Sequence, residues 1–144
     1  MRGLARASAA VVAVVLLTLP TPSYAHHRAG PCDVHRRDGE TVRSHSTRLI
    51  RCAAAEWEVP GGAEKAICIA DAESHLDPRA VSEDGAYVGL FQHSAAAWPD
   101  RFAEWTDPAW ELDERPQSGR TNAIVTMRIV NANGWGSWGR VGDC

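Results

Sequence analysis

The sequence predicts an all-α domain. Apolar residues recur at spacings of three and four in separate segments, no convincing apolar/polar alternation marks a strand, and four cysteines are available to staple a small helical body. A minor hairpin in the loop spanning 75–90 is the one β element this leaves room for. With 144 residues, 44% of them hydrophobic, the chain can form one domain with a real core but not two.

Residues 1–25 are expected to stand outside that domain as a signal peptide. Arg2 and Arg6 supply a positive leader, Ala9 to Leu19 an apolar run, and Ser23-Tyr24-Ala25 a small-residue cleavage site. The run is shorter than the roughly 18 to 20 residues of a spanning helix, so a secreted protein without an integral membrane span is the expectation. Residues 26–44 then read as a polar arm. Gly30-Pro31 and Asp38-Gly39 are turn signals within it, and it is expected to be half-ordered and anchored only through Cys32.

The helical domain is placed at 45–144. After Ser46, the spacing of Leu49, Ile50, Ala53, Ala54 and Trp57 predicts a first helix ending before Val59-Pro60-Gly61-Gly62. A second runs from about Ala63 to Glu73, and its nearly all-round apolar surface predicts a central position. A long loop follows from His75 to Val88, then a short helix reaching Trp98 and stopped by Pro99. Residues 100–120 read as irregular and aromatic. The last helix is expected from about Ser118 to Asn133, stopped by Gly134, with Trp135-Gly136-Ser137-Trp138-Gly139 as a turn-rich close.

Four cysteines in a secreted chain imply two disulfides. Cys52 and Cys68 lie eight residues either side of Pro60, so a hairpin folded there sets their sulfurs level. That favours Cys52 with Cys68 and leaves Cys32 with Cys144. Zinc is disfavoured because no C-x-x-C or paired Cys/His spacing occurs. His26, His27 and His35 read as a solvated tail. Residues 56–114 carry fourteen acidic side chains against Lys65, Arg79 and Arg101, which argues against a nucleic-acid partner. No nucleotide-binding glycine pattern, metal cluster or Cys/His nucleophile appears, so no cofactor is implied.

Glu73 ends a helical run of small and apolar residues shortly before Pro78, where partial desolvation favours the protonated form of a carboxylate, as a general acid needs. Asp71 is about 200° round the helix from it and should face away. Asp77, Glu83 and Asp84 read as turn or surface residues, and His75 and His93 as structural or solvated ones.

The ordered series Ala72-Glu73-Ser74, Asp77-Pro78, Ala80-Val81-Ser82, Gly85-Ala86, Gly89-Leu90-Phe91-Gln92 and Trp98 resembles the core signature of the lysozyme-like superfamily. Within it, the soluble lytic transglycosylase domains of small secreted actinobacterial proteins are the most similar. The resemblance covers roughly 45–138. It implies a lysozyme-like fold, peptidoglycan glycan strands as substrate, and Glu73 as catalytic acid on the bond between N-acetylmuramic acid and N-acetylglucosamine. Ser74, Tyr87, Gln92 and Asn122 would then contact substrate. Tyr87-Val88 adds one residue to the common spacing, and Asn133-Gly134-Trp135 stands where many transglycosylases carry Ala-Tyr-Asn-Ala-Gly. These departures leave a second expectation open, a catalytically silent module that binds glycan or a protein partner.

Overall fold

The computed structural model describes residues 29–139 and Cys144; the segment 1–25 expected to be a signal peptide, His26 and His27 lie outside the described residues. Four helices and one small two-stranded sheet make up the described fold. Helix α1 spans Val42–Glu56, α2 Gly62–Ser74, α3 Trp98–Trp105 and α4 Gly119–Asn133, and a short 3-10 helix, Gly134–Ser137, follows.

Helix α1 starts earlier than the apolar spacing suggests. Thr41 caps it, its side chain accepting the Ser44 N–H at 3.1 Å, so the first turn is polar and invisible to a hydrophobic pattern. From residue 29 onward the arm before it is docked, which corrects the half-ordered expectation for those residues. Cys32 is buried, Nε2 of His45 lies 2.7 Å from the Val34 carbonyl oxygen, and Arg120 donates to the carbonyls of Ala29 and Pro31 and to Asp33. Arg48 also reaches back to Glu40 at 2.9 Å.

The central helix is α4, not α2. Nine residues of α4, Thr121 to Met127 with Ile129 and Val130, are buried, whereas α2 buries only Ala66, Ile69, Ala70 and Ser74. Side chains of small volume make α2 look apolar all round without giving it a neighbour on every side. Helix α1 packs against both α2 and α4, and α3 against α4. Ser118 caps α4, its hydroxyl accepting the Thr121 N–H, and Gly134 at φ 71° ends it, close to the bounds expected from sequence.

The disulfides pair differently from the hairpin argument. Cys32 joins Cys52, and Cys68 joins Cys144. Level height on antiparallel helices is not sufficient. Cys52 stands two residues past the buried Ile50, and Cys68 two residues past the buried Ala66, so each is about 200° round its helix from a core position. Both sulfurs therefore point away from the α1–α2 seam, one toward the arm and one toward the chain's end.

Pro99 also has the opposite role from the one expected. It lies in the first turn of α3, where a missing N–H costs nothing and the fixed φ suits a helix, so it starts α3 and does not stop a preceding helix. Before it, β1 (Tyr87–Val88) pairs antiparallel with β2 (His93–Ser94), Tyr87 opposite Ser94 and Val88 opposite His93. Val81 adds an isolated bridge to Val88. The small hairpin thus exists, set slightly later than the expected loop.

Candidate functional site

A cleft of about 520 Å³ opens beside the end of α2. Its walls are Ala72 and Glu73 of α2, Tyr87 of β1, Gln92, Ser94 of β2, Arg101 of α3, and Ser137, Trp138 and Gly139 after α4. Glu73 is half-buried, and among the described residues it is the one carboxylate on these walls. Asp71 is held away from it by a two-point pairing with Arg43 of α1, at 2.7 Å for each bond. The Arg43 hydrogen bond keeps the Asp71 carboxyl below the usual carboxylate range.

The chain reverses sharply after Glu73. His75 and Leu76 both take left-handed backbone angles, φ 53° and 60°, and Leu76 turns back into the core. The next stretch is tied to the helix end by Ser74, whose buried hydroxyl shares its one proton between the carbonyls of Leu90 at 2.8 Å and Ala70 at 3.0 Å. Gly89, at φ 84°, lies so close to Asn122 and Pro116 that a Cβ there would be 2.2 Å from the Asn122 amide nitrogen. Asn122 in turn accepts the Phe91 N–H at 3.1 Å and donates to the Pro116 carbonyl at 2.9 Å.

Ser74 and Asn122 are therefore latches and not cleft walls. Both are buried, with their polar atoms engaged by backbone, and neither faces the cleft as a substrate contact would. The segment Gly89-Leu90-Phe91-Gln92 is pinned between them. Leu90 and Phe91 fill the core, Phe91 packing on Trp135 and Trp138, while the Trp138 indole N–H donates to the Phe91 carbonyl at 2.8 Å.

Tyr87 and Gln92 do line the cleft. Tyr87 is 50% exposed at its rim. Gln92 is at φ 46°, a strained angle for a residue with a side chain, and its amide nitrogen donates to the carbonyls of Gly89 at 2.9 Å and Ala80 at 3.2 Å. Those bonds fix the amide plane and leave its oxygen as an acceptor for a ligand hydroxyl or N–H.

The other loop carboxylates are turn residues. Asp77 accepts the Arg79 N–H, and Asp84 accepts the Ser82 hydroxyl and the Ala86 N–H, bonds that hold the Asp84 carboxyl below its usual range. His75 is exposed beyond the end of α2, and His93 is buried. Among the described residues no group of three or more His, Cys, Asp or Glu is placed to hold a metal ion.

Sequence reasoning missed Arg101, Ser94, Ser137 and Trp138 as cleft residues. Arg101 carries a usable signal, since it is one of only three cationic side chains in the acidic stretch 56–114. Trp138 does not, because a tryptophan in a turn-rich segment reads equally as core.

No protein-family model matches the chain, and neither a curated protein nor a solved structure matches it. Two disulfides fit an oxidising compartment, and no helix among the described residues is long and apolar enough to cross a membrane.

Proposed function

We propose that this chain is a secreted enzyme that cleaves peptidoglycan glycan strands, with Glu73 as its single general acid and base. One observation carries the reading: Glu73 stands as the lone carboxylate, among the described residues, on a cleft walled by Tyr87, Gln92 and Trp138. The exposed Tyr87 ring suits the apolar face of a sugar ring, and Gln92 offers a fixed amide oxygen. The motif series around Glu73 adds the resemblance to lysozyme-like domains.

Glycosidases with two carboxylates need a partner about 5 to 9.5 Å from the acid. A lone acid suffices when the substrate supplies the second group. Glu73 protonates the glycosidic oxygen while the carbonyl oxygen of the 2-acetamido group attacks the anomeric carbon, and the C–O bond to the leaving sugar breaks. The resulting oxazolinium is then opened by an oxygen nucleophile that gives its proton to the Glu73 carboxylate. If that nucleophile is the sugar's own 6-hydroxyl the product is a 1,6-anhydro end; if it is water, a reducing end forms.

Mass spectrometry of fragments released from purified walls tests this. The wild-type chain should release anhydro or reducing ends, and Glu73→Gln should lower the rate by about 10²- to 10⁴-fold. Unchanged release by Glu73→Gln, or none by wild type, sinks the enzyme reading. The second reading, a silent module that binds glycan, is favoured by the added residue at Tyr87-Val88 and the exposed Tyr87 ring. Its signature is retention on insoluble peptidoglycan without any fragment.

A further inference from the structure

Glycosidic cleavage by Glu73 gives no task to the cation that lines the same cleft. Arg101 of α3 lines the same walls, and it is held in place from behind. Its Nη1 donates to Nδ1 of His93 at 2.7 Å, and a guanidinium cannot accept, so Nδ1 carries no proton. His93 Nε2 therefore carries it and donates to the Thr126 hydroxyl at 2.8 Å, which in turn donates to the Asn122 carbonyl at 2.7 Å. Every donor in this chain, from α3 through β2 to α4, has one acceptor, and His93 is 1% exposed.

The front of Arg101 is different. Among the described residues it makes no ion pair, although the segment 56–114 carries fourteen carboxylates and arginines elsewhere, such as Arg43 and Arg115, are paired. Glu73 shares the cleft with Arg101 without pairing to it. A half-buried guanidinium braced by a neutral imidazole and kept from its own acidic neighbours is arranged to receive an anion from outside.

We propose that Arg101 forms a carboxylate subsite of the cleft, which makes the enzyme selective for glycan strands that carry a carboxylate over uncharged N-acetylglucosamine polymers. The proposal rests on the glycosidase reading of Glu73. Two sources offer that carboxylate, the lactyl group of a peptide-free muramyl residue and the stem peptide attached to it, and both present the same planar group to a guanidinium.

Calorimetric titration of the Glu73→Gln chain, which removes turnover, tests it with three tetrasaccharides: an uncharged N-acetylglucosamine oligomer, a peptide-free muramyl oligomer, and a muramyl oligomer bearing stem peptide. A charge-assisted pair should make a carboxylate-bearing oligomer bind roughly 10- to 100-fold more tightly than the uncharged one. Added Arg101→Gln should bring the affinities to within about twofold, and Arg101→Lys, which keeps the charge, should retain part of the preference. Tight binding of the peptide-free oligomer assigns the lactyl carboxylate, and tight binding of the peptide-bearing one alone assigns the stem; either supports the subsite.

Equal affinities in the Glu73→Gln parent overturn the subsite, as does a preference that survives Arg101→Gln or the binding of no probe. A preference lost with Arg101, in a protein whose wild type releases nothing from walls, keeps the subsite and rejects the glycosidase. Wall cleavage without any charge preference does the reverse. Circular dichroism of each variant separates loss of binding from loss of fold.

Discussion

Gly89 shows how one residue without a side chain places a cleft. It needs φ 84°, and a Cβ there would also fall 2.3 Å from the Pro116 carbonyl oxygen, which is backbone and cannot swing aside. Gly89→Ala should therefore destabilise the fold by at least ~2 kcal/mol, combining the left-handed penalty with the steric shift of Pro116 and Asn122. Urea denaturation measures it; a change under ~0.5 kcal/mol would mean that the contact with Asn122 does not hold the segment. Gly89 was visible in the sequence only as one member of the motif series; that it must be glycine follows from the backbone angle and the packing of Asn122 and Pro116. The role of Asn122 was not legible, because an amide can bond a ligand or a backbone equally well, and only the positions of Phe91 N–H and Pro116 C=O decide which.

Helices were readable where their caps and apolar faces coincide, as in α4, whose start at Ser118 and end at Gly134 both carry side-chain or glycine signals. They were misread where one residue type serves two purposes: Pro99 both stops and starts helices, and the polar first turn of α1 hides its cap at Thr41. Joining β2, α3 and α4 is a buried polar seam that sequence cannot show, the chain Arg101–His93–Thr126. Burial, and then the neighbouring Arg101 charge, push the His93 imidazole down to about 3 from an ordinary 6.5. Between those values the unfolded chain binds a proton that the folded one refuses, so stability falls as pH drops from about 6.5 toward 3. The slope from this one group is at most ~1.4 kcal/mol per pH unit. A different window belongs to Glu40, whose carboxyl is held at about 2 by the Arg37 backbone N–H and then by the Arg48 guanidinium, so its contribution is lost only as pH falls from about 4.5. Denaturant unfolding across pH should show that His93→Gln flattens the dependence between pH ~4.5 and ~6.5. An unaltered slope in that variant would reject the neutral buried imidazole.

At the scale of the whole molecule, the two disulfides divide the labour of holding the cleft walls in register. Cys32–Cys52 closes 20 residues and fastens the arm to α1, while Cys68–Cys144 closes 76 and ties α2, the helix that carries Glu73, to the chain end beyond Trp138. In the chain-entropy picture loops of these lengths are worth roughly 3.3 and 4.5 kcal/mol, so the longer one contributes more to stability and spans both sides of the cleft. Loss of the long bridge in Cys68→Ser/Cys144→Ser should lower the unfolding midpoint more than Cys32→Ser/Cys52→Ser and, on the proposed function, should impair glycan binding at temperatures where the protein is still folded. The connectivity itself is open to direct reading, because Lys65 and the arginines at 36, 51, 79 and 140 put each cysteine on a separate tryptic fragment. Non-reducing digestion should yield fragment 29–36 joined to 52–65 and fragment 66–79 joined to 141–144. A species joining 52–65 to 66–79 would instead place a bridge across the α1–α2 seam. It would require both helices to rotate their cysteines inward, displacing Ile50 and Ala66 from the core that supports Glu73.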